Sequence, residues 1–300
     1  MKIIRILDHI FALRPMLQIP VWTIMILGYY GFSESASIVL LLALVIGTGL
    51  ASGVFLINQI YDIESDRINQ KIHFLPKGLV KISTAWMMAI SLYLMSLILA
   101  FCLSVKVGFL AIVIALLGIF YSAPPIALKN RAYAAAFINA FGHGSLIFVL
   151  GYCAAGGGML QGFYMSLPYF FAVGAVYIGT TLPDIEGDKK TGKITFGVIY
   201  GEKKSNIIML LCYIISLIAG LIVRDVPFLV ASLVVSPFYI WLALTGKIKT
   251  TILAVKLSIV SLSFVAAYFY PVYIVFLVVL ILIMRAYYRR RFCFTYPSLK

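Results

Sequence analysis

Apolar runs recur along the whole 300-residue chain, at 17–32, 38–60, 84–103, 107–121, 132–153, 163–182, 207–223, 227–245 and 252–284. All but the last are close to the ~20 residues an α-helix needs to cross a ~30 Å hydrocarbon core. In such a solvent every backbone N–H and C=O must be satisfied within its own segment, which leaves the helix as the element these runs can form. Hydrophobic residues make up 63% of the chain and charged ones 11%, whereas an ordinary soluble domain carries about 25% charge. A soluble globular fold is therefore excluded. The expectation is an all-α, polytopic transmembrane helical bundle forming one integral-membrane domain over residues 1–300. Residues 1–13 mix Lys2, Arg5, Asp8 and His9 into their apolar positions and show no secretory cleavage pattern, so this segment is expected to be retained.

The run at 252–284 would be about 50 Å long as one helix, well beyond the bilayer core. Pro271 sits where such a run would break. The count is nine spans with an odd tail, or ten with a short final hairpin, so that 271–300 supplies an extra helix and a basic tail. Charge discriminates between them. With the N-terminus inside, ten spans put 22 of the 24 Lys and Arg residues on the cytoplasmic side and leave only Lys106 and Arg224 outside, whereas nine spans give 17 to 7. The positive-inside bias prefers ten. The same bias, together with anionic headgroups, accounts for the net charge of +14 without a nucleic-acid partner. Cys102, Cys153, Cys212 and Cys293 form no close pair and read as packing residues. No obligate protein partner is implied.

Carboxylates are scarce, ten in all, and six of them occupy two pentapeptides of one pattern: DIESD at 62–66 and DIEGD at 184–188. Each follows an even-numbered span, so both face the same side, joined there by the break that begins at Ser122. If each motif extends its membrane helix, Asp62 and Asp66 project from one face one turn apart, as do Asp184 and Asp188. Glu64 and Glu186 point away. Asn58 and Thr180 lie one turn earlier on the same faces. Like charges this close need a counter-charge. Hard carboxylate oxygens suit Mg²⁺, which binds through one or two carboxylates and completes its shell with phosphate oxygens and water. Two facing pairs can hold Mg²⁺ around a diphosphate. The competing reading is a pair of solvated helix ends neutralised by Arg67, Lys71, Lys189 or Lys190, which the duplication of the pattern disfavours.

NQIYDIESDRIN, YSAPP and DIEGDKKTGKITFGVIYG, with Arg14-Pro15 ahead of the first span, resemble the signatures of the UbiA-type intramembrane prenyltransferase superfamily. The resemblance covers the chain to about Tyr270. It implies that Asn58, Asp62, Asp66, Asp184 and Asp188 form the catalytic, Mg²⁺-holding and diphosphate-binding set, with the four aspartates as metal ligands, in a helical bundle open laterally to lipid. It also places Tyr121 and Ser122 near the prenyl diphosphate. Two departures stand out: the family usually has nine helices, and NQKIHFLPKG keeps Leu-Pro-x-Gly without the common basic-proline opening.

Prenyl transfer needs cations to neutralise the leaving diphosphate. The candidates are Arg14, Arg67, Lys71, Lys129, Lys189 and Lys193, with Arg67 and Lys129 placed best because each follows a motif closely. His143, between Gly142 and Gly144, is either a helix-packing residue or an aid to acceptor deprotonation. The function expected is Mg²⁺-dependent transfer of a polyprenyl group from its diphosphate to a lipophilic or aromatic acceptor, at the cytoplasmic face, with membrane lipids as surroundings. A CDP-alcohol phosphatidyltransferase would concentrate its aspartates in one Asp-Gly and Ala-Arg motif, which is absent here. A cation transporter would place its site at the bilayer midplane, on broken helices.

Overall fold

The computed structural model describes residues 2–68 and 74–297. Fifteen α-helices follow in order: α1 Lys2–Ala12, α2 Pro15–Tyr30, α3 Ile38–Tyr61, α4 Ile63–Ile68, α5 Ile82–Leu103, α6 Val105–Ser122, α7 Ala132–Asn139, α8 Ile147–Ala154, α9 Met159–Met165, α10 Leu167–Thr180, α11 Ile185–Lys190, α12 Phe196–Val223, α13 Val226–Thr245, α14 Ile248–Phe269 and α15 Val272–Phe292. A π-helical stretch, Ala140–Leu146, fuses α7 and α8 into one span. Among the described residues, eight helices are long and apolar enough to cross a membrane. The number is ten if each of two bent pairs, Ile4–Ala12 with Pro15–Tyr30 and Met159–Met165 with Leu167–Lys190, is one span. The chain is a multi-pass integral membrane protein.

The final hairpin is longer than its sequence suggests. Instead of a short appendage, α14 and α15 have 22 and 21 residues, because α14 starts inside the lysine-bearing segment at Ile248 and α15 continues past Met284 through the arginine cluster. Their break is at Pro271, as the proline predicts. The C-terminal end of α15 then packs on α1. Tyr287 and Arg291 both bond Asp8 (Oη–Oδ1 2.5 Å, Nε–Oδ1 3.0 Å, Nη2–Oδ2 3.1 Å), and Phe11 stacks on Tyr287 at 3.9 Å. This clamp sets α1 against the C-terminal end of α15, and the Gln59 bond to the Ala12 carbonyl places α1 beside the end of α3 that carries the first aspartate motif.

Small residues set the helix contacts, as expected where lipid supplies no hydrophobic drive for association. Gly28 of α2 lies against the Phe148 carbonyl of α8, and Gly151 of α8 against the Met25 carbonyl of α2. A Cβ at either would overlap the opposing backbone, so both glycines are required for this crossing. One apolar core is built on α2, α3, α5, α6, α8 and α15 and reaches Tyr169, Phe228 and Ala266, and a second joins α7 with the remaining buried positions of α10, α12, α13 and α14. The candidate site lies between them.

Candidate active site

The two aspartate motifs do not extend their helices without interruption. Asp62 ends α3 at φ −107°, ψ 5°, and α4 begins at the next residue. Asp184 ends the 3₁₀ turn Leu182–Asp184 and caps α11, at φ −102°, ψ 3°. Both therefore occupy the bridge region of backbone space, where active-site residues are over-represented. The turn survives the first break, since Asp66 N–H still donates to the Asp62 carbonyl at 2.8 Å, so Asp62 and Asp66 remain on adjacent turns. Asp62, Asp66 and Asp188 are buried and Asp184 is half-buried, while Glu64 and Glu186 are exposed. The central glutamates face away, as the spacing predicts.

α4 and α11 pack against each other, and two lysines from separate loops meet on the first motif. Lys129 Nζ donates to Asp62 Oδ1 at 2.9 Å and Lys193 Nζ to the same oxygen at 2.5 Å. Lys193 also donates to Ser65 Oγ at 2.9 Å. The Arg14 guanidinium approaches Asp66 Oδ2 at 3.7 Å. On the facing side, Asn58 Nδ2 donates to Ser122 Oγ at 3.4 Å, which joins the first motif to the end of α6. Tyr121 meets the side chains of Asn139 and Tyr177.

The backbone shows why these cations converge. Arg14 and Ala127 sit in the left-handed region, at φ 54° and 38°, which a non-glycine residue adopts at a cost of about 1–2 kcal/mol. Arg14 is itself the base and the residue before α2, and Ala127 opens the 3₁₀ turn Leu128–Asn130 carrying Lys129. Gly192, at φ 73°, reverses the chain after α11. Its N–H bonds the Lys189 carbonyl and the next N–H, of Lys193, bonds the Asp188 carbonyl, the paired pattern of a Schellman stop. Here glycine is needed for its positive φ. Ile194 N–H then donates to the Asn130 carbonyl at 3.2 Å, and this bridge holds the Lys129 and Lys193 loops side by side.

Burial by itself would push the Asp62 carboxyl up, but the Lys129 and Lys193 ammonium groups outweigh it and hold the group below its ordinary value. Lys129, 7% exposed, is pushed down by burial, and Asp62 offsets part of that. With two cations on one carboxylate, the cluster favours an incoming anion.

Arg67 and Lys189 are exposed on the outer sides of α4 and α11. Lys71 lies outside the described residues. Three participants were not singled out from sequence. Ser65 carries no distinguishing pattern. Tyr177 falls three residues before Thr180 and seven before Asp184, on one helix face, and Asn139 is an amide inside an apolar span; both signals were readable.

A cavity of about 500 Å³ opens from the motifs into the bundle. Arg14, Asn58, Tyr121, Thr180 and Asp184 line one end of it, and the remainder is mostly apolar, with His143 on the wall. His143 stacks on Phe55 at 5.9 Å.

For a divalent cation the donor set is chemically suited: hard carboxylates from two helices around an anion-seeking cluster. Among the described residues, no three acidic, His or Cys side chains are grouped to hold an ion by themselves.

Comparison with known proteins gives a consistent result. The family model described as the UbiA prenyltransferase family matches residues 17–249. A digeranylgeranylglyceryl phosphate synthase of Methanosphaera stadtmanae is 30% identical over 167 residues, covering 54% of this chain and 58% of that protein. A 2-acyl-4-prenylphloroglucinol 6-prenyltransferase of Humulus lupulus is 32% identical over 159 residues, covering 49% of this chain and 38% of that protein. The chain thus spans less than two thirds of the length of these relatives. A UbiA homolog from Archaeoglobus fulgidus, solved bound to GPP and Mg²⁺, superposes with a TM-score of 0.68 at 23% identity over 89% of this chain and 99% of that one, a likeness of fold.

Proposed function

The chain belongs to the UbiA prenyltransferase family, and on that premise we propose that it transfers a polyprenyl group from its diphosphate to a lipophilic or aromatic acceptor, with Mg²⁺ at the aspartate motifs. One observation carries this reading. Cations from two loops converge on Asp62 beside a largely apolar cavity that also reaches Asp184. A diphosphate head and a hydrocarbon tail require that juxtaposition of charge and dry space.

In the reaction the allylic carbon–oxygen bond breaks with its electron pair going to the diphosphate. The acceptor oxygen or ring carbon then bonds to the same carbon and releases a proton. Mg²⁺ held by Asp62, Asp66, Asp184 and Asp188 would neutralise the leaving group. Lys129 and Lys193 add positive charge where the diphosphate departs, and Arg14 lies at the same end of the cavity. Asn58 and Ser122 orient the head group from the α6 side. The dry wall excludes water that would trap the allylic cation, and Tyr121 and Tyr177 offer ring faces beside it. Arg67 and Lys189, exposed on the outer surface, lie where the released diphosphate would leave to solvent.

The relatives' names support two acceptor classes, a glycerol phosphate lipid and a phenolic ring. Purified protein with prenyl diphosphates, Mg²⁺ and acceptors of both classes should release diphosphate and form a prenylated product. Release of a nucleotide from CDP-alcohol, or ion flux without product, would replace the proposal.

The active site faces the cytoplasm in this proposal, because the motif end carries the basic loops. A membrane-impermeant thiol reagent on intact cells should label Ser35→Cys, in the exposed turn between α2 and α3, and spare Cys293, at the motif end beyond α15. The opposite pattern would reverse the orientation.

A further inference from the structure

The last turns of α15 reach the active site through Arg14. This residue lines the cavity, and its guanidinium approaches Asp66 Oδ2 at 3.7 Å. It does so from left-handed backbone, φ 54° and ψ 62°, a conformation that a non-glycine residue keeps only where its surroundings over-determine it. Two anchors supply that constraint. The Arg14 N–H donates to the Phe11 carbonyl at 3.1 Å, so the placement of Phe11 sets that of Arg14. Phe11 is buried, with its ring stacked on Tyr287 at 3.9 Å and edge-on to Tyr288 at 5.8 Å. From the other side, Gln59 of α3 holds the Ala12 carbonyl at 2.9 Å.

The same rings grip the segment between α4 and α5, on the far flank of the first motif. Phe74, buried there, meets Tyr287, Tyr288 and Phe292 at 6.3, 6.5 and 5.9 Å, and Lys77 Nζ lies over the Phe292 ring at 4.9 Å. Beyond α15 the chain turns at Cys293, φ 58°, and Tyr296 packs on Tyr288 at 4.8 Å. Both tyrosines are within electrostatic reach of Arg14. We propose that the C-terminal end of α15 is a positioning element of the active site: Tyr287 and Tyr288 hold Phe11, and Phe11 fixes Arg14 where its guanidinium meets both Asp66 and the diphosphate of the donor. An arginine held in advance spares the donor the cost of ordering a long, rotamer-rich side chain. The inference rests on prenyl diphosphate being the substrate, with its head at the aspartate motifs.

The experiment measures KM for the prenyl diphosphate, and inhibition by inorganic pyrophosphate at fixed Mg²⁺, in the full-length protein in detergent. Arg14→Met should raise both constants about tenfold, the usual effect of losing one charge-assisted hydrogen bond. Phe11→Ala and Tyr288→Ala should each raise them about three- to tenfold, and Tyr288→Phe, which restores the ring, should restore both. The deciding measurement is the double-mutant cycle. Added to Arg14→Met, either alanine substitution should have no further effect on the two constants, because residues that act through one another are not additive. A merely structural role would lower the unfolding temperature and leave the cycle additive. If an alanine variant does not fold, leucine at the same position takes its place. Full additivity with Arg14→Met, or unchanged constants in the folded ring variants, overturns the positioning role. So does an Arg14→Met protein that binds donor and pyrophosphate normally, and both results leave prenyl transfer standing. No diphosphate release from any donor by wild-type protein instead rejects the function on which the inference rests.

Discussion

Asp62 and Asp184 have nearly the same backbone angles at corresponding points of a repeated pentapeptide, yet their surroundings differ. Asp62 is buried and bonded by Lys129 and Lys193. Asp184 is half-buried and lines the cavity. The pattern D-x-x-x-D fixes which groups face inward. It does not fix what meets them, because the lysines come from loops 67 and 131 residues away in sequence. In the proposed site both motifs hold the metal, and the difference is that Asp62 also anchors the lysine cluster whereas Asp184 lines the cavity.

The sharpest way to break that comparison is to neutralise each aspartate. Asp62→Asn and Asp184→Asn should each lower kcat/KM by about 10²–10³, the usual cost of one transition-state electrostatic contact. They should differ in stability. Asp62→Asn leaves two ammonium groups without their buried carboxylate, a change that costs about 3–5 kcal/mol for a buried pair, whereas Asp184→Asn, at a half-exposed position, should cost far less. The shared pentapeptide pattern by itself gives the two positions no reason to differ; burial of Asp62 under Lys129 and Lys193 is what separates them. Diphosphate release and thermal unfolding in detergent measure both effects. Normal turnover of either variant at saturating Mg²⁺ would sink the metal assignment.

Next in size are the lysines. Lys129→Met and Lys193→Met should each raise KM for the prenyl diphosphate about tenfold, because each removes one charge-assisted bond of roughly 1.5–3 kcal/mol while its partner still holds Asp62. A fall in kcat at unchanged KM would mean that the lysines act on the leaving group only in the transition state.

The pH profile offers a smaller effect. Burial pushes the Lys129 ammonium down from its usual 10.5, with Asp62 offsetting part of the shift. A lowered pKa means the charged form is present at neutral pH and is lost on the alkaline side before 10.5. The kcat/KM profile should therefore fall at high pH earlier than for an exposed lysine, and Lys129→Arg should move that limb upward. Asp62, held below its ordinary 3.8, contributes no change above that value. An alkaline limb unmoved by Lys129→Arg would assign it to another group.

Much of this was legible in the sequence, and the physical reason differs from feature to feature. The spans were readable because bilayer thickness dictates run length, and the aspartate pairs because carboxylates are rare here. Lys129 and Lys193 were candidates by their nearness to motifs. Their convergence on one oxygen was not readable, since it depends on left-handed backbone at Ala127 and Gly192 and on the Ile194–Asn130 bridge. Long-range partners were equally invisible. Asp8 reads as a charge near an end, yet it is clamped by Tyr287 and Arg291 across 279 and 283 residues. Asp225 reads as a loop acid and is the buried support of Tyr169.

The smallest predicted effect tests the comparison from its other side. Glu64 and Glu186 occupy the centre of each pentapeptide, and both are exposed, so neither shares the inward face of its motif. Glu64→Gln and Glu186→Gln should keep kcat/KM within about threefold, and should change stability by no more than about ±0.5 kcal/mol, as exposed substitutions usually do. The two motifs should respond alike, because their exposed faces are alike even though their buried faces are not. Screening by salt should leave what little effect remains smaller still. If Glu186→Gln alone proved inactive in well-folded protein, the second motif would be using its outer face. The contrast between Asp62 and Asp184 would then have to be redrawn around that glutamate and the exposed Lys189 beside it.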